Sequence, residues 1–224
     1  PEPPVIEMPS RDYETLRQQS LQPDGLKKLR FAKMIGVDID VKEKAKGQVM
    51  GDGTLYRLAI RSEGAYSLNL VFDSYQLPPG AKLFVYNREQ DHSRGAFTKD
   101  NNKTAGVLPV GPVKGEQVTI EYYEPHEVEI SERLILSKVG HDYLDILNIL
   151  GKTKGVAGFG DSGECNIDIN SSAGDGWQDG KRAIVEIIVG GNLLCTGSLI
   201  NDTRSGNRPY LLTANHCLST QHHA

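Results

Sequence analysis

The sequence predicts a mostly β protein, and three observations carry that expectation. Apolar and polar residues alternate with a period of two over several short runs. The runs are interrupted by turn chemistry rather than by long helical stretches. Two apolar runs near the end, Leu193-Leu194 and Leu211-Leu212, are strand-like and each leads into a cysteine-bearing segment. A period of two gives a strand one buried and one wet face, the mark of antiparallel sheets. About eight short strands between such turns suggest an N-terminal β-sandwich of jelly-roll type.

The elements follow in order. Residues 1–30 read as an N-terminal arm with a short helix. Pro1 to Pro9 is proline-rich, Ser10 is placed to cap a helix running to about Gln19, and Pro23-Asp24-Gly25 is a turn signal. Residues 31–150 read as the sandwich. Tyr56, Leu58 and Ile60 alternate with Arg57, Ala59 and Arg61; Leu68, Leu70 and Phe72 alternate with Ser67, Asn69 and Val71; Val118, Ile120 and Tyr122 alternate with Thr119 and Glu121. Breaks are expected at Gly51-Asp52-Gly53, Pro78-Pro79-Gly80, Gly111-Pro112 and Lys114-Gly115. Glu132 to Lys138 reads as a last strand, and Leu144, Leu147 and Leu150 have helical spacing. Residues 151–163 contain the Gly- and Lys-rich run Gly151 to Gly160, which has neither period and reads as an exposed linker open to cleavage. A second unit, 164–224, follows.

Composition narrows the function. At 224 residues and 38% hydrophobic, the chain holds one large or two modest domains. A net charge of −4 with scattered Lys and Arg gives no electrostatic footprint for nucleic acid. No apolar run approaches the roughly 18 residues of a membrane span. The chain opens at Pro1 with no apolar leader, so the expectation is a secreted or periplasmic protein whose signal peptide has been removed. Three cysteines, an odd number, imply that one has its partner elsewhere.

The specific signal lies near the end. Leu211-Leu212-Thr213-Ala214-Asn215-His216-Cys217 resembles the histidine box of the trypsin-like serine endopeptidases, T-A-A-H-C, with Asn215 in place of the second Ala. Cys195-Thr196-Gly197-Ser198-Leu199-Ile200 resembles the C-x-G-S-L-I strand that precedes that box. Ser162-Gly163-Glu164-Cys165-Asn166-Ile167-Asp168 looks like the start of the mature enzyme in the bacterial lysyl endopeptidase branch. Upstream, Leu55 to Leu58, Ser67 to Leu70, Leu77 to Leu83 and Val118 to Pro125 look like the pro-region of the same precursors.

This resemblance implies that 31–150 is a pro-domain and that 164–224 is the incomplete start of a trypsin-like β-barrel. It implies a Cys195–Cys217 disulfide, with Cys165 unpaired and its partner beyond Ala224. His216 is then the catalytic histidine. A serine hydroxyl has a pKa far above neutrality, so a neutral imidazole must take its proton and return it to the leaving amine. A strand end and an adjacent disulfide give that imidazole a fixed position. The bland alternative is a structural disulfide beside a core histidine. Two departures stand out: Asn170 sits where the branch carries another Cys, and the Lys expected before the mature N-terminus is displaced, with Lys154 the nearest candidate.

Other motifs have weaker claims. Gly160-Asp161-Ser162-Gly163 spells the nucleophile signature, but its serine precedes the histidine, against the order of this fold, so Ser162 is not expected to attack. His222 and His223 with His216 and Cys217 lack the paired spacing of a zinc site. Asp168, Asp175 and Asp179 read as turn and cap residues, and Asp202 precedes the histidine and so cannot be the triad acid. Asn102, Asn170 and Asn201 open glycosylation sequons.

The expected function is that of an N-terminal portion of a secreted serine endopeptidase precursor. Its substrate would be polypeptide, cut after Lys, with no cofactor, and the pro-domain would bind its own protease domain. The chain alone, with one triad residue, is expected to be inactive. The competing class is a secreted carbohydrate- or surface-binding sandwich with a degenerate protease segment, in which Tyr66, Tyr75, Tyr86, Tyr122 and Tyr123 would form a stacking face.

Overall fold

A computed structural model describes residues 2–21, 29–128, 132–151, 167, 169–204, 206 and 208–218. In chain order the elements are β1 (Val5–Glu7), α1 (Tyr13–Leu21), β2 (Leu29–Arg30), β3 (Ala32–Asp40), α2 (Val41–Lys44), β4 (Lys46–Met50), β5 (Gly53–Arg61), β6 (Ser67–Gln76), β7 (Lys82–Asn87) and β8 (Ser93–Phe97). There follow β9 (Leu108–Lys114), β10 (Gln117–Pro125), β11 (Arg133–Asp142), α3 (Ile146–Gly151), α4 (Gln178–Ala183), β12 (Ile184–Val189), β13 (Leu193–Ile200) and β14 (Tyr210–Thr213). The protein is mostly β, as its periodicity predicts.

The strands form three sheets. One has the order β1-β5-β10-β7-β8, with β4 also on β5; the second has the order β3-β11-β6-β9. Consecutive strands from β5 to β7 and from β9 to β11 alternate between these two sheets. Their apolar faces share one core. Leu58, Ile60, Ile120 and Tyr122 from the first sheet and Leu68, Leu70, Phe72 and Leu136 from the second are fully buried in a single cluster. Each such side chain contributes on the order of 1.5–3 kcal/mol by leaving water. Period-two patterning therefore selects the inward face.

Turn chemistry sets most of the corners. Gly51, Gly80 and Gly115 take positive φ, where a Cβ would be strained. The break expected at Gly111-Pro112 does not occur. Both residues lie inside β9, and the register against β6 slips between Leu68 and Leu70. Gly111 and Pro112 have no register partner in β6, so the missing proline N–H costs no ladder bond, and the bulge on this edge strand absorbs the extra residue.

Two local expectations are corrected. The cap of α1 is Asp12 rather than Ser10: its Oδ1 accepts from the backbone N–H groups of Glu14 at 3.1 Å and Thr15 at 3.3 Å. The last strand of the N-terminal unit is longer than Glu132 to Lys138, because β11 pairs with both β3 and β6 out to His141. The arm is also tied down. β1 pairs in parallel with Ala59–Arg61 of β5. Met8 joins the main core.

The third sheet has β13 at its centre. β12 pairs along one edge and β14 along the other, with β2 beside Leu193 and Leu194. Among the described residues it closes no barrel. The β12–β13 turn uses left-handed Gly190 (φ 61°) and Gly191 (φ 79°). A second apolar cluster joins this sheet to the rest of the chain. Leu29, Phe31, Ala32, Tyr143, Leu144 and Ile146 form it, with Tyr13, Ile188 and Leu194 packed against it.

Candidate active site

β14 ends at Thr213, paired with Gly197 of β13. The Thr213 hydroxyl donates to the Thr196 carbonyl at 2.7 Å, which fixes the strand end. The chain then tightens into a 3₁₀ turn, Asn215–Leu218, closed by Cys217 N–H donating to the Ala214 carbonyl at 2.9 Å. His216 sits on this turn and is exposed, while Cys217 beside it is buried. A disulfide joins Cys217 to Cys195 across a sequence separation of 22, with Cα atoms 6.1 Å apart. Cys195, Val189 and Cys217 form a small buried cluster under the turn. His216 thus projects to solvent from a backbone pinned on both sides. Among the described residues no hydrogen bond holds its imidazole.

The donor atoms of Cys195, His216 and Cys217 lie within 4.8 Å of one another. Such a group resembles a metal site in geometry only. Thiolate is the sulfur ligand form, and both sulfurs are spent in the disulfide. The imidazole is then the sole strong ligand of the three.

The other sequence candidates fall as follows. Lys154, Ser162, Cys165, Asp168, His222 and His223 lie outside the described residues. Asp202 accepts from the backbone N–H groups of Arg204 and Gly206, each at 3.2 Å, and so holds a turn. Asp179 pairs with Arg182 at 2.8 Å on the surface of α4. Asp175 lies in the 3₁₀ turn Ser172–Trp177.

The tyrosines proposed as a stacking face are dispersed. Tyr75 and Tyr122 are core residues, and burial pushes the Tyr75 phenol up to about 12. The Tyr122 phenol is pushed up by burial as well, beside Glu124, to which it donates at 3.1 Å. Tyr86 donates to Glu121 at 3.0 Å and Tyr123 to Asp52 at 2.7 Å. Tyr66 is exposed but alone in this set. The carbohydrate-binding alternative is not favoured.

One constellation was not signalled by the sequence. His141 is fully buried at the end of β11, its Nδ1 2.7 Å from the Ser62 hydroxyl. Tyr13 of α1 stacks flat on its ring, with centroids 3.4 Å apart. Burial pulls this imidazole down to about 4. Neighbouring Asp142 accepts from Ser67 and from the backbone N–H groups of Leu144 and Ile146. No motif spacing links these residues; tertiary packing alone brings them together. Ser62, Ser67, His141 and Asp142 are buried, with half-buried Tyr13 over the ring, and together they read as a structural joint.

Residues 159–224 match the family described as lysyl endopeptidase, C-terminal domain. The chain is also 27% identical over 118 residues to a lysyl endopeptidase of Pseudomonas aeruginosa, a stretch covering 49% of this chain and 25% of that protein. That stretch is longer than residues 159–224, so part of the likeness lies in the N-terminal region. No solved structure matches the chain. The relationship is to a protease family. No helix among the described residues is long and apolar enough to cross a membrane.

Proposed function

We propose that this chain is the N-terminal portion of a secreted or periplasmic trypsin-like serine endopeptidase precursor that hydrolyses peptide bonds after Lys. One observation carries the reading. His216 stands exposed at the end of β14, in the segment related to lysyl endopeptidase, with its turn anchored by the Cys195–Cys217 disulfide. That placement suits a general base. The imidazole takes the proton of a serine hydroxyl as the hydroxyl attacks the scissile carbonyl, then gives it to the leaving amine. The aspartate that orients the ring and the serine that attacks belong to the remainder of the catalytic domain, as do the backbone donors of the oxyanion hole. Polypeptide is the substrate and no cofactor is needed.

Residues 31–150 are read as a jelly-roll pro-domain, supported by the alternation of successive strands between two sheets with one shared core. Residues 1–30 are its arm, 151–163 the processing region, with Lys154 the candidate cleavage point, and 164–224 the start of the first catalytic barrel. Cys165 takes its partner from the remaining domain. Exposed Leu199, Leu211 and Leu212 on β13 and β14 suit strands that belong to a larger barrel. The disulfide suits an oxidising compartment.

With one triad residue of three, the 224-residue chain should not turn over a lysyl ester. The assay compares it with His216→Ala and Ser162→Ala. Turnover that survives His216→Ala but is abolished by Ser162→Ala would sink the assignment.

A further inference from the structure

The outer face of β6 should be wet by its alternation, yet Asn69 is only 3% exposed. What covers it is the turn of the β12–β13 hairpin. The Asn69 Nδ2 donates to the Gly191 carbonyl at 3.0 Å and lies 4.0 Å from the Met34 sulfur. Its Oδ1 is buried with no hydrogen-bond partner among the described residues, so the amide is committed through its donor side. Gly140 on β11 makes room for it, since a Cβ there would run into the Asn69 amide. On the hairpin side, a Cβ at Gly191 would meet the Met34 Cε at 2.8 Å. Two further contacts complete the seat. The Phe31 N–H donates to the Asn192 carbonyl at 3.0 Å. β2 adds an antiparallel edge strand, with Leu29 opposite Leu194 and Arg30 opposite Leu193. Ile188 and Leu194 lie against the buried cluster around Phe31.

We propose that Phe31, Met34, Asn69 and β2 form a recognition seat for the β12–β13 hairpin, so that the N-terminal unit stays bound to the catalytic segment after the chain between them is cut. This rests on reading residues 31–150 as a pro-region. The seat combines an apolar floor, a buried amide that needs a carbonyl, and a strand addition whose main-chain bonds give affinity. These contacts fall on Ile188 to Leu194. The hold is on the hairpin turn, and His216, beyond β14, is not the docking point.

The test inserts a site for a sequence-specific protease between Lys154 and Gly155 of the full chain and cuts it after folding. The two pieces should co-elute at micromolar concentration. Asn69→Asp keeps the shape but sets a carboxylate against the Gly191 carbonyl. It should weaken the association about tenfold or more, as burying an unpaired charge does. Gly191→Ala, from the other side, should do the same. In the uncut chain, both variants should speed amide exchange at Leu193 and Leu194 while β10 keeps its protection. Pieces that separate while each retains its β-sheet circular dichroism overturn the seat. So does Asn69→Asp with unchanged affinity and unchanged exchange. Either result leaves the assignment of His216 standing, because that is read from turnover of the complete enzyme.

Discussion

His141 ties the N-terminal arm to the sheet, and its protonation should loosen that tie. The imidazole is buried against Ser62 and under Tyr13, and burial pulls its pKa from 6.5 to about 4. The folded protein therefore binds this proton more weakly than the unfolded chain. The stability His141 gives is present in full above about 6.5 and is lost as pH falls toward 4. Asp142 acts in the opposite sense: burial pushes its carboxyl up, so its share is lost as pH rises through the folded value. The melting temperature should fall as pH goes from about 7 to about 4.5, and His141→Gln should flatten that slope. An identical slope in the variant would show that His141 does not govern it. None of this was legible in the sequence. His141 follows an alternating run and looks like any strand residue, and its partners lie far away in the chain. Asn69 was hidden in the same way: alternation assigns it to water, and only the hairpin of a distant segment covers it. By contrast, the expected Cys195–Cys217 pairing and the strand leading into the His216 turn are where the motifs put them, because each motif is a contiguous run of residues.

Among the elements, β14 and the end of β13 depend on a staple more than on a core. Leu211 and Leu212 are exposed, and the buried cluster beneath the histidine turn contains both cysteines. Closing the 22-residue separation between Cys195 and Cys217 contributes about 3 kcal/mol in the chain-entropy account. Reduction, or the Cys195→Ser/Cys217→Ser pair, should raise amide exchange across β13 and β14 and leave β10 protected. Unchanged exchange in β14 would show that the strand is held by other means. Strand positions were readable wherever alternation and turn residues agreed, as in β5, β6 and β10. They misled at Gly111-Pro112, where an edge bulge tolerates residues that would break a central strand. They misled again at Ser10, because Asp12 lies one residue before α1 and its carboxylate reaches the free N–H groups.

At the scale of the molecule, two clusters divide the labour. The larger one lies between two sheets and is specified by local patterning. The smaller one, around Phe31, gathers residues from α1, β2, the start of β3, the segment after β11, α3 and the β12–β13 hairpin. Sequence periodicity reports the first and is silent on the second, since no local pattern encodes which distant segment completes a face. The second cluster packs Ile188 and Leu194 of the third sheet against the N-terminal unit, which is what the proposed seat requires.

The central claim is that His216 is the proton carrier of an endopeptidase. The direct measurement is lysyl-ester turnover by the complete, processed gene product, with and without His216→Ala. The account predicts a loss of about 10⁴-fold or more in kcat with KM little changed, as removal of a triad histidine gives. Retention of kcat within a few-fold, in a variant whose Cys195–Cys217 disulfide and fold are intact, would contradict it.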